Sequence, residues 1–530
     1  MNNKNLQTPD ILTELSDPTN ATLCRLLCDK RMSADLSGEY TLPDDLPEMR
    51  RLLRVNVIPT APTRFISGNS VRVGGNLDYS VCYVGADGNI YGATFTGDYD
   101  FNAPFESDAE YDADLGVSAN ADVYAESVVG RVISARKLSL KARVGARIIA
   151  AGSTSGSMSP WLTDSAHAHT ESLMKSAESC RYLTGGSDEI VIRDGIDGNR
   201  YVCADCSVFL EEVRSGEGYV DCAGSVRVAY LMRGEAGAPP VTVEKRYSLS
   251  ETVELDGMKE GAPCTAFCVC TGIEVSHSDD GGESECVIRL RILTEGFVPV
   301  TVRYVSDAYS TLYGSKCERK RVTLPMMGCC GLKNMTFEAS LPLERLSLTT
   351  LKGGFTPVSV SASASVDSIE FSEDGEKGPA VGSVTFNILY SSNSDEGGIE
   401  LSSVETELPF KMSGYGAKGE GSLSFCSAIA IDPRVKMGSG ELELGCELAL
   451  SCSAVASVDI ETVSGIDLAE EALDRSGGIS ICYPGRGESL WSVAKKYRVP
   501  VDLVRRENQI SSEIADDDSE GLERVRYLIV

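Results

Sequence analysis

The chain has 530 residues, more than one hydrophobic core usually organises, so several domains of roughly 100 to 200 residues are expected. Its 49 basic and 78 acidic residues leave a net charge of −29, which repels polyanions and argues against nucleic acid as a partner. The hydrophobic fraction of 42% suits globular burial, no stretch approaches the roughly 18 consecutive apolar residues of a membrane span, and three histidines (His167, His169 and His277) leave little for metal or acid–base chemistry.

In chain order, residues 1–37 read as a polar, partly helical tail without the basic-then-apolar order of a secretory leader. A cytosolic location follows as an expectation, and with it reduced thiols for the 18 cysteines. From about Leu52 to Ile460 short segments rich in Val, Ser, Thr, Ala and Tyr alternate with period two between Gly, Asp and Asn turns, the pattern of β-strands. Three stretches share one grammar: Gly75-Asn-Leu-Asp-Tyr-Ser-Val-Cys-Tyr83, Gly224-Ser-Val-Arg-Val-Ala-Tyr-Leu-Met232 and Gly382-Ser-Val-Thr-Phe-Asn-Ile-Leu-Tyr390. Their glycines lie roughly 150 residues apart, the spacing of a domain-sized repeat. A Pro-Phe pair follows in the first and third copies, Pro104-Phe105 and Pro409-Phe410, and is missing from the second.

These markers predict a mainly β chain of tandem β-sandwich-like repeats: 38–152, a divergent second copy at 200–340, and a third at 341–462. Residues 153–199 are expected to connect the first two, through the small-residue run Gly152–Ser159 and a short helix over Thr170–Ser179. Residues 463–478 are expected to be a second connector, with Leu468, Ala469, Ala472 and Leu473 at helical spacing between Ile466 and Asp474.

At 479–530 the pattern changes to strand, helix, helix, strand. Leu490, Val493, Ala494 and Tyr497 form one apolar helical stripe, and Val501 and Val504 continue it in a second helix opened by Pro500. The run Tyr483-Pro-Gly-Arg-Gly-Glu-Ser-Leu-Trp-Ser-Val-Ala-Lys-Lys-Tyr497, then Val499-Pro-Val-Asp-Leu-Val504 and Asn508-Gln-Ile510, resembles a LysM domain, a βααβ module. The resemblance implies a groove for N-acetylglucosamine-containing glycans such as peptidoglycan, lined by Gly487, Glu488, Ser489 and Leu490 on one side and Asn508, Gln509 and Ile510 on the other. The helices also carry Lys495, Lys496, Arg498, Arg505 and Arg506 against Asp502 and Glu507, a cationic face that suits either docking on a protein or plain solvation. Trp491 is assigned to the small core of the module ahead of a sugar platform.

Leu42-Pro-Asp-Asp-Leu-Pro-Glu-Met49, Leu52-Leu-Arg-Val55, the glycine-led strands, Ala103-Pro-Phe105, Arg136-Lys-Leu-Ser-Leu-Lys-Ala-Arg143 and Leu408-Pro-Phe410, followed by the LysM-like end, resemble the SipL/SPOCS family of spore coat morphogenetic proteins. Membership would imply a non-catalytic scaffold in the mother-cell cytoplasm at the forespore surface, whose LysM contacts the coat ATPase SpoIVA. The rival expectation is a glycan-binding protein with the repeats as spacers. Residues 477–530 are nearly neutral while the repeats carry the acidity, which discourages edge-to-edge pairing of strands.

Chemical signals elsewhere are weak. Gly414-Tyr-Gly-Ala-Lys-Gly419 fits a dinucleotide fingerprint, yet a strand pattern follows where a helix is required. His167-Ala-His169 has no matching acidic or cysteine pair, Cys203-Ala-Asp-Cys206 has no second pair at zinc spacing, and Asp279–Glu285 lacks the ligand order of a calcium loop. No enzyme, metal or cofactor is expected.

Overall fold

The computed structural model describes residues 21–105, 117–156, 169–234, 238–276, 284–346, 355–369, 379–393, 399–413, 421–438, 440–472, 478–522 and 525–530. Among them the chain is mainly antiparallel β, arranged as one plan used three times.

The first unit comprises β1 (Ala21–Thr41), β2 (Met49–Pro59), β3 (Thr63–Ser67), β4 (Ser70–Gly85), β5 (Ile90–Pro104), β6 (Val117–Ser134) and β7 (Lys137–Gly156). β7 lies between β1 and β6 in one sheet, and β4 lies between β2–β3 and β5 in the other. The second unit repeats this with β8 (Thr170–Gly186), β9 (Ile190–Ile196), β10 (Tyr201–Gly216), β11 (Tyr219–Met232), β12 (Val241–Glu254), β13 (Cys264–Ser276) and β14 (Ser284–Ser310): β14 lies between β8–β9 and β13, and β11 between β10 and β12. In the third unit β15 (Tyr313–Pro342), β16 (Thr356–Ile369), β17 (Ala380–Asn393), β18 (Ile399–Met412), β19 (Gly421–Met437) and β20 (Glu441–Ala472) give the orders β15-β20-β19 and β16-β17-β18. In each unit, therefore, the first strand pairs with the last, and a three-strand meander packs on that closing sheet.

Alternation decides which face goes inward. On β7, Leu138, Leu140, Ala142, Val144, Ala146 and Ile148 are buried, as are Leu442, Leu444, Cys446, Leu448 and Leu450 on β20. The three glycine-led segments are the middle strands β4, β11 and β17 of the meanders. Gly224 and Gly382 face bulges in their neighbours, between Leu210 and Glu212 and between Val366 and Ser368. An added Cβ would there overlap the carbonyl oxygens of Phe209 and Ser365, so close backbone approach explains both glycines.

Three expectations are corrected. Residues 21–37 of the expected partly helical tail belong to β1, which pairs with β7 from Ala21↔Gly156 to Thr41↔Lys137; residues 1–20 lie outside the described ones. The expected connector 153–199 contains β8 and β9, so Thr170–Ser179 is strand and not helix, paired with Val300–Ser310 of β14. Ile466–Ala472 continues β20, with Leu468 opposite Ser315 and Ala472 opposite Tyr313. A long partner strand supplies these segments with hydrogen bonds, and that tertiary pairing overrides a local helical spacing. In each repeat the expected boundary had cut off the opening strand.

The outer faces of the three meanders close a ring. Each first meander strand carries a bulge, at Leu53, Val202 and Val358, and each bulged carbonyl is met by the last meander strand of the preceding unit. Thr242 Oγ1 of β12 donates to Val358 O at 2.8 Å. Ser403 Oγ of β18 donates to Leu53 O at 2.5 Å. The third contact sets Gly92 of β5 directly against Val202 O, with no room for a side chain. Gly92, Thr242 and Ser403 hold the same place, opposite Cys82, Leu231 and Leu389. The closing sheets meet as well: Arg147 of β7 bonds Asp29 at 3.2 Å and Glu295 of the second unit at 3.1 Å, and Glu295 accepts from Ser453 of the third.

The carboxy-terminal module consists of β21 (Ile481–Cys482), α1 (Leu490–Tyr497), α2 (Val501–Glu507), a single turn α3 (Ser519–Leu522) and β22 (Leu528–Ile529), with β21 and β22 antiparallel. Its core is Cys482, Leu490, Trp491, Val493, Ala494, Val501, Val504, Leu522 and Leu528, completed by Tyr309 from β14.

Candidate functional site

The residues singled out by sequence all fall in the carboxy-terminal module, and local chemistry explains their placement. Ser489 caps α1 through a reciprocal box with Ser492, its hydroxyl accepting the Ser492 N–H while the Ser492 hydroxyl accepts that of Ser489. Gly487 takes a left-handed φ of 84° in the turn before it. Glu488 turns back to accept the Gly485 N–H at 2.8 Å and faces Lys496 at 3.6 Å. The Gly485 hydrogen bond and the Lys496 charge hold its carboxyl below the usual range. Leu490 is wholly buried, which removes it from any groove surface.

The second loop is also committed internally. The Asn508 side chain donates to Val504 O and to Ile529 O, each at 2.8 Å, and accepts the Ile529 N–H at 2.7 Å. It pins the end of α2 to β22 with all its polar groups used on the module itself. Ile510 packs on the module core. Of the groove set only Gln509, exposed in a left-handed conformation with φ 55°, and Gly487 present themselves outward.

Two residues of the cationic face, Lys495 and Arg498, point inward, onto the body. Asp307 of β14 is the hub: its Oδ2 accepts Trp491 Nε1 at 2.9 Å and Lys495 Nζ at 2.5 Å, and its Oδ1 meets Arg319 of β15 at 3.1 Å. Burial pushes the Asp307 carboxyl up, but the bonds from Lys495 and Trp491 outweigh it and hold it below the usual range. Arg498 donates to Tyr313 O at 2.6 Å, and Tyr309 donates its hydroxyl to Val499 O at 2.7 Å. The Tyr309 ring meets Trp491 edge-on with centroids 5.0 Å apart. Trp491 is thus a core residue of the module and its seat on the body at once. Pro500 has no side chain to cap α2; Glu171 of β8 accepts the Val501 N–H instead, while burial and the nearby Asp502 raise its carboxyl. Arg505 is spent within the module on Ser511 O, Ile514 O and Asp516, and Arg506 pairs with Glu507.

One outward side of the module is apolar. Ile481 stands opposite Ile529, and on the same outward side of the strand pair are Tyr483 and Tyr527; the four are 57%, 39%, 71% and 51% exposed. Exposed Arg526 precedes Tyr527 directly in the chain. The sequence signal for this face was available, since Ile481 and Tyr483 flank Cys482 with period two, but an apolar strand alone does not say which side is buried.

The other chemical candidates resolve differently. Cys203 and Cys206 sit on opposite faces of β10, as odd spacing in a strand requires, so the CxxC cannot chelate one ion. His169 lies in a turn whose carbonyl accepts from Thr311. His167, Asp279–Gly282 and Gly414–Gly419 lie outside the described residues, and β19 follows the last of these at Gly421. No group of three or more His, Cys, Asp or Glu side chains that could hold a metal ion occurs among the described residues, nor does a helix long and apolar enough to cross a membrane. No family model, no curated protein and no solved structure matches the chain.

Proposed function

We propose that the chain is a non-catalytic assembly scaffold of the SipL/SPOCS kind, acting in the mother-cell cytoplasm where the coat is laid around the forespore, with the LysM-like module as its partner-binding end and a coat ATPase resembling SpoIVA as the partner. The observation that carries this is the orientation of the module. Lys495 and Arg498 are used to seat it on the body, and one side of it presents two isoleucines and two tyrosines, with the exposed Arg526 beside Tyr527, to the outside. Exposed aromatic and branched side chains with a charged rim are the composition of a protein-binding patch. The acidic ring supports the same reading, because three fused β units give a rigid body on which such a patch is held at a fixed place. The reading weighs against a sugar groove in that Leu490 is buried and Asn508 is spent on Ile529.

The test offers the immobilised full-length chain the purified coat ATPase and, separately, peptidoglycan. Retention of the ATPase, weakened about ten-fold or more by Ile481→Glu or Tyr527→Ala, is expected. Retention on peptidoglycan alone, weakened by Gln509→Ala and indifferent to Ile481→Glu, would replace this reading with the glycan-binding one.

A further inference from the structure

The junction between the first and second units departs from the other two. Cys82, Leu231 and Leu389 hold the same place on the three central meander strands and share one buried cluster with Leu53 and Val202. Two of the three are leucines. The third is a thiol, and it faces another thiol, Cys203 of β10, across the boundary between units. Each is 2% exposed, and the two thiols interact with one another. From its other side Cys203 receives Arg54 Nη2 of the first unit at 3.1 Å. Arg54 is oriented by Asp205 at 3.0 Å, and Asn56 Nδ2 holds the second Asp205 oxygen at 2.6 Å.

A guanidinium donor aimed at one of two neighbouring sulfurs favours that sulfur's thiolate. The Cys82 hydrogen bond and the Arg54 charge bring Cys203 down to about 7 against the effect of burial. The same hydrogen bond, with burial, pushes Cys82 well above an ordinary thiol. A spectator pair in an apolar junction would have no guanidinium on one of its sulfurs.

We propose that Cys203 and Cys82 are a thiol–disulfide pair, Cys203 the nucleophile and Cys82 the resolving thiol, whose bond staples the first unit to the second and locks the ring closed. The co-reactant is a low-molecular-weight disulfide of the glutathione type. The Cys203 thiolate attacks one of its sulfurs, forming a mixed disulfide and releasing one small thiolate. Cys82 gives its proton to that thiolate or to water, and its sulfur attacks Cys203 Sγ, expelling the second small thiolate. Two cysteines lose two electrons in all and one small disulfide gains them. Because both sulfurs are buried, exchange requires the junction to part, so the reaction reports opening of the ring. Cys206 and Cys270, which face one another inside the second unit, serve as an internal comparison, since linking them joins no units.

The full-length chain is incubated with oxidised glutathione at pH 7, quenched by alkylation, and its disulfide-linked peptides are mapped by mass spectrometry. The expected product joins Cys82 to Cys203. Cys82→Ser should convert it to a stable glutathione adduct on Cys203. Arg54→Gln should slow the linkage about five- to ten-fold at pH 7 by lowering the thiolate fraction, with the difference disappearing at pH 9 and above, a pH signature that loss of packing alone would not give. Repeating the reaction in low urea, where the junction opens, separates access from chemistry. If Cys82 and Cys203 are then alkylated independently without joining, or if Arg54→Gln leaves the rate at pH 7 unchanged, the proposal is overturned.

Discussion

The repeat body and the carboxy-terminal module hold together by different means. In the body, every unit buries a complete face on each of its two sheets, and the units then lock through backbone carbonyls at three equivalent bulges, so stability is spread over many strands. The module is too small for that. Its core has one side made by Tyr309 of the body, and Trp491 and Lys495 converge on a single carboxylate, Asp307. Small units commonly borrow a surface in this way, because the apolar area they can bury alone is marginal. The consequence is that damage to the body should be distributed, whereas damage to the module should be local and should leave the ring intact.

The largest effects are expected where the body has no slack. Gly224→Ala or Gly382→Ala drives a methyl into a backbone carbonyl, and should cost about 3 kcal/mol, read as a lowered melting temperature of the body by calorimetry. Gly478→Ala, which has open space, should change nothing. Leu490→Ala should cost a similar amount, about 3 kcal/mol, but hydrogen exchange should show protection lost only over residues 481–529 while β11 and β12 stay protected. Equal loss in both regions would mean that the module and body fold as one cooperative unit.

Next comes the hub. Asp307→Ala leaves the Lys495 ammonium and the Trp491 N–H without their acceptor, and should weaken docking by about 2 kcal/mol, seen as faster proteolysis between the ring and the module with the body's melting unchanged. The pH dependence follows from the lowered Asp307 carboxyl. A carboxylate held below its ordinary value contributes docking stability above that value and loses it as pH falls through the lower, folded-state value. Docking should therefore persist through mildly acidic pH and fail only below the usual carboxylate range, and a release near neutral pH would assign control to another group. The smallest effects belong to the ring contacts: Thr242→Val and Ser403→Ala each remove one donor to a bulged carbonyl and should cost about 1 kcal/mol apiece. If their sum in the double variant greatly exceeds the singles, ring closure is cooperative.

The parts of this architecture that rest on short-range pattern were legible. Gly75, Gly224 and Gly382 mark the middle strands of the three meanders, Pro104-Phe105 and Pro409-Phe410 fall at the next strand in each case, and the Leu490, Val493 and Ala494 stripe became the buried face of α1. The opening strands are not legible in the same way. Ala21–Thr41 carries a partial period-two signal in Met32, Ala34 and Leu36, all packed on the first core, but it pairs with a strand more than a hundred residues later. Ile466–Ala472 has a helical spacing that its pairing with β15 overrides.

In the candidate site the local features were readable and their direction was not. The cations Lys495 and Arg498 were identifiable as a face, yet whether that face looks toward a partner or toward the chain itself depends on Asp307 and Tyr313, which precede Trp491 and Arg498 by 184 and 185 positions. No periodicity connects residues so far apart.

Short-range pattern carries the period-two strands, the three-fold repetition of the meander and the helix-bearing end, because side-chain alternation, glycine at close approaches and helical capping act over a few residues. Long-range packing sets the closing of each unit by its first and last strands, the ring of bulged carbonyls, the meeting of Cys82 with Cys203, and the inward turn of Lys495 and Arg498. Each of these depends on which surfaces remain to be buried once the local elements exist, and burial is settled between elements that the chain order keeps apart.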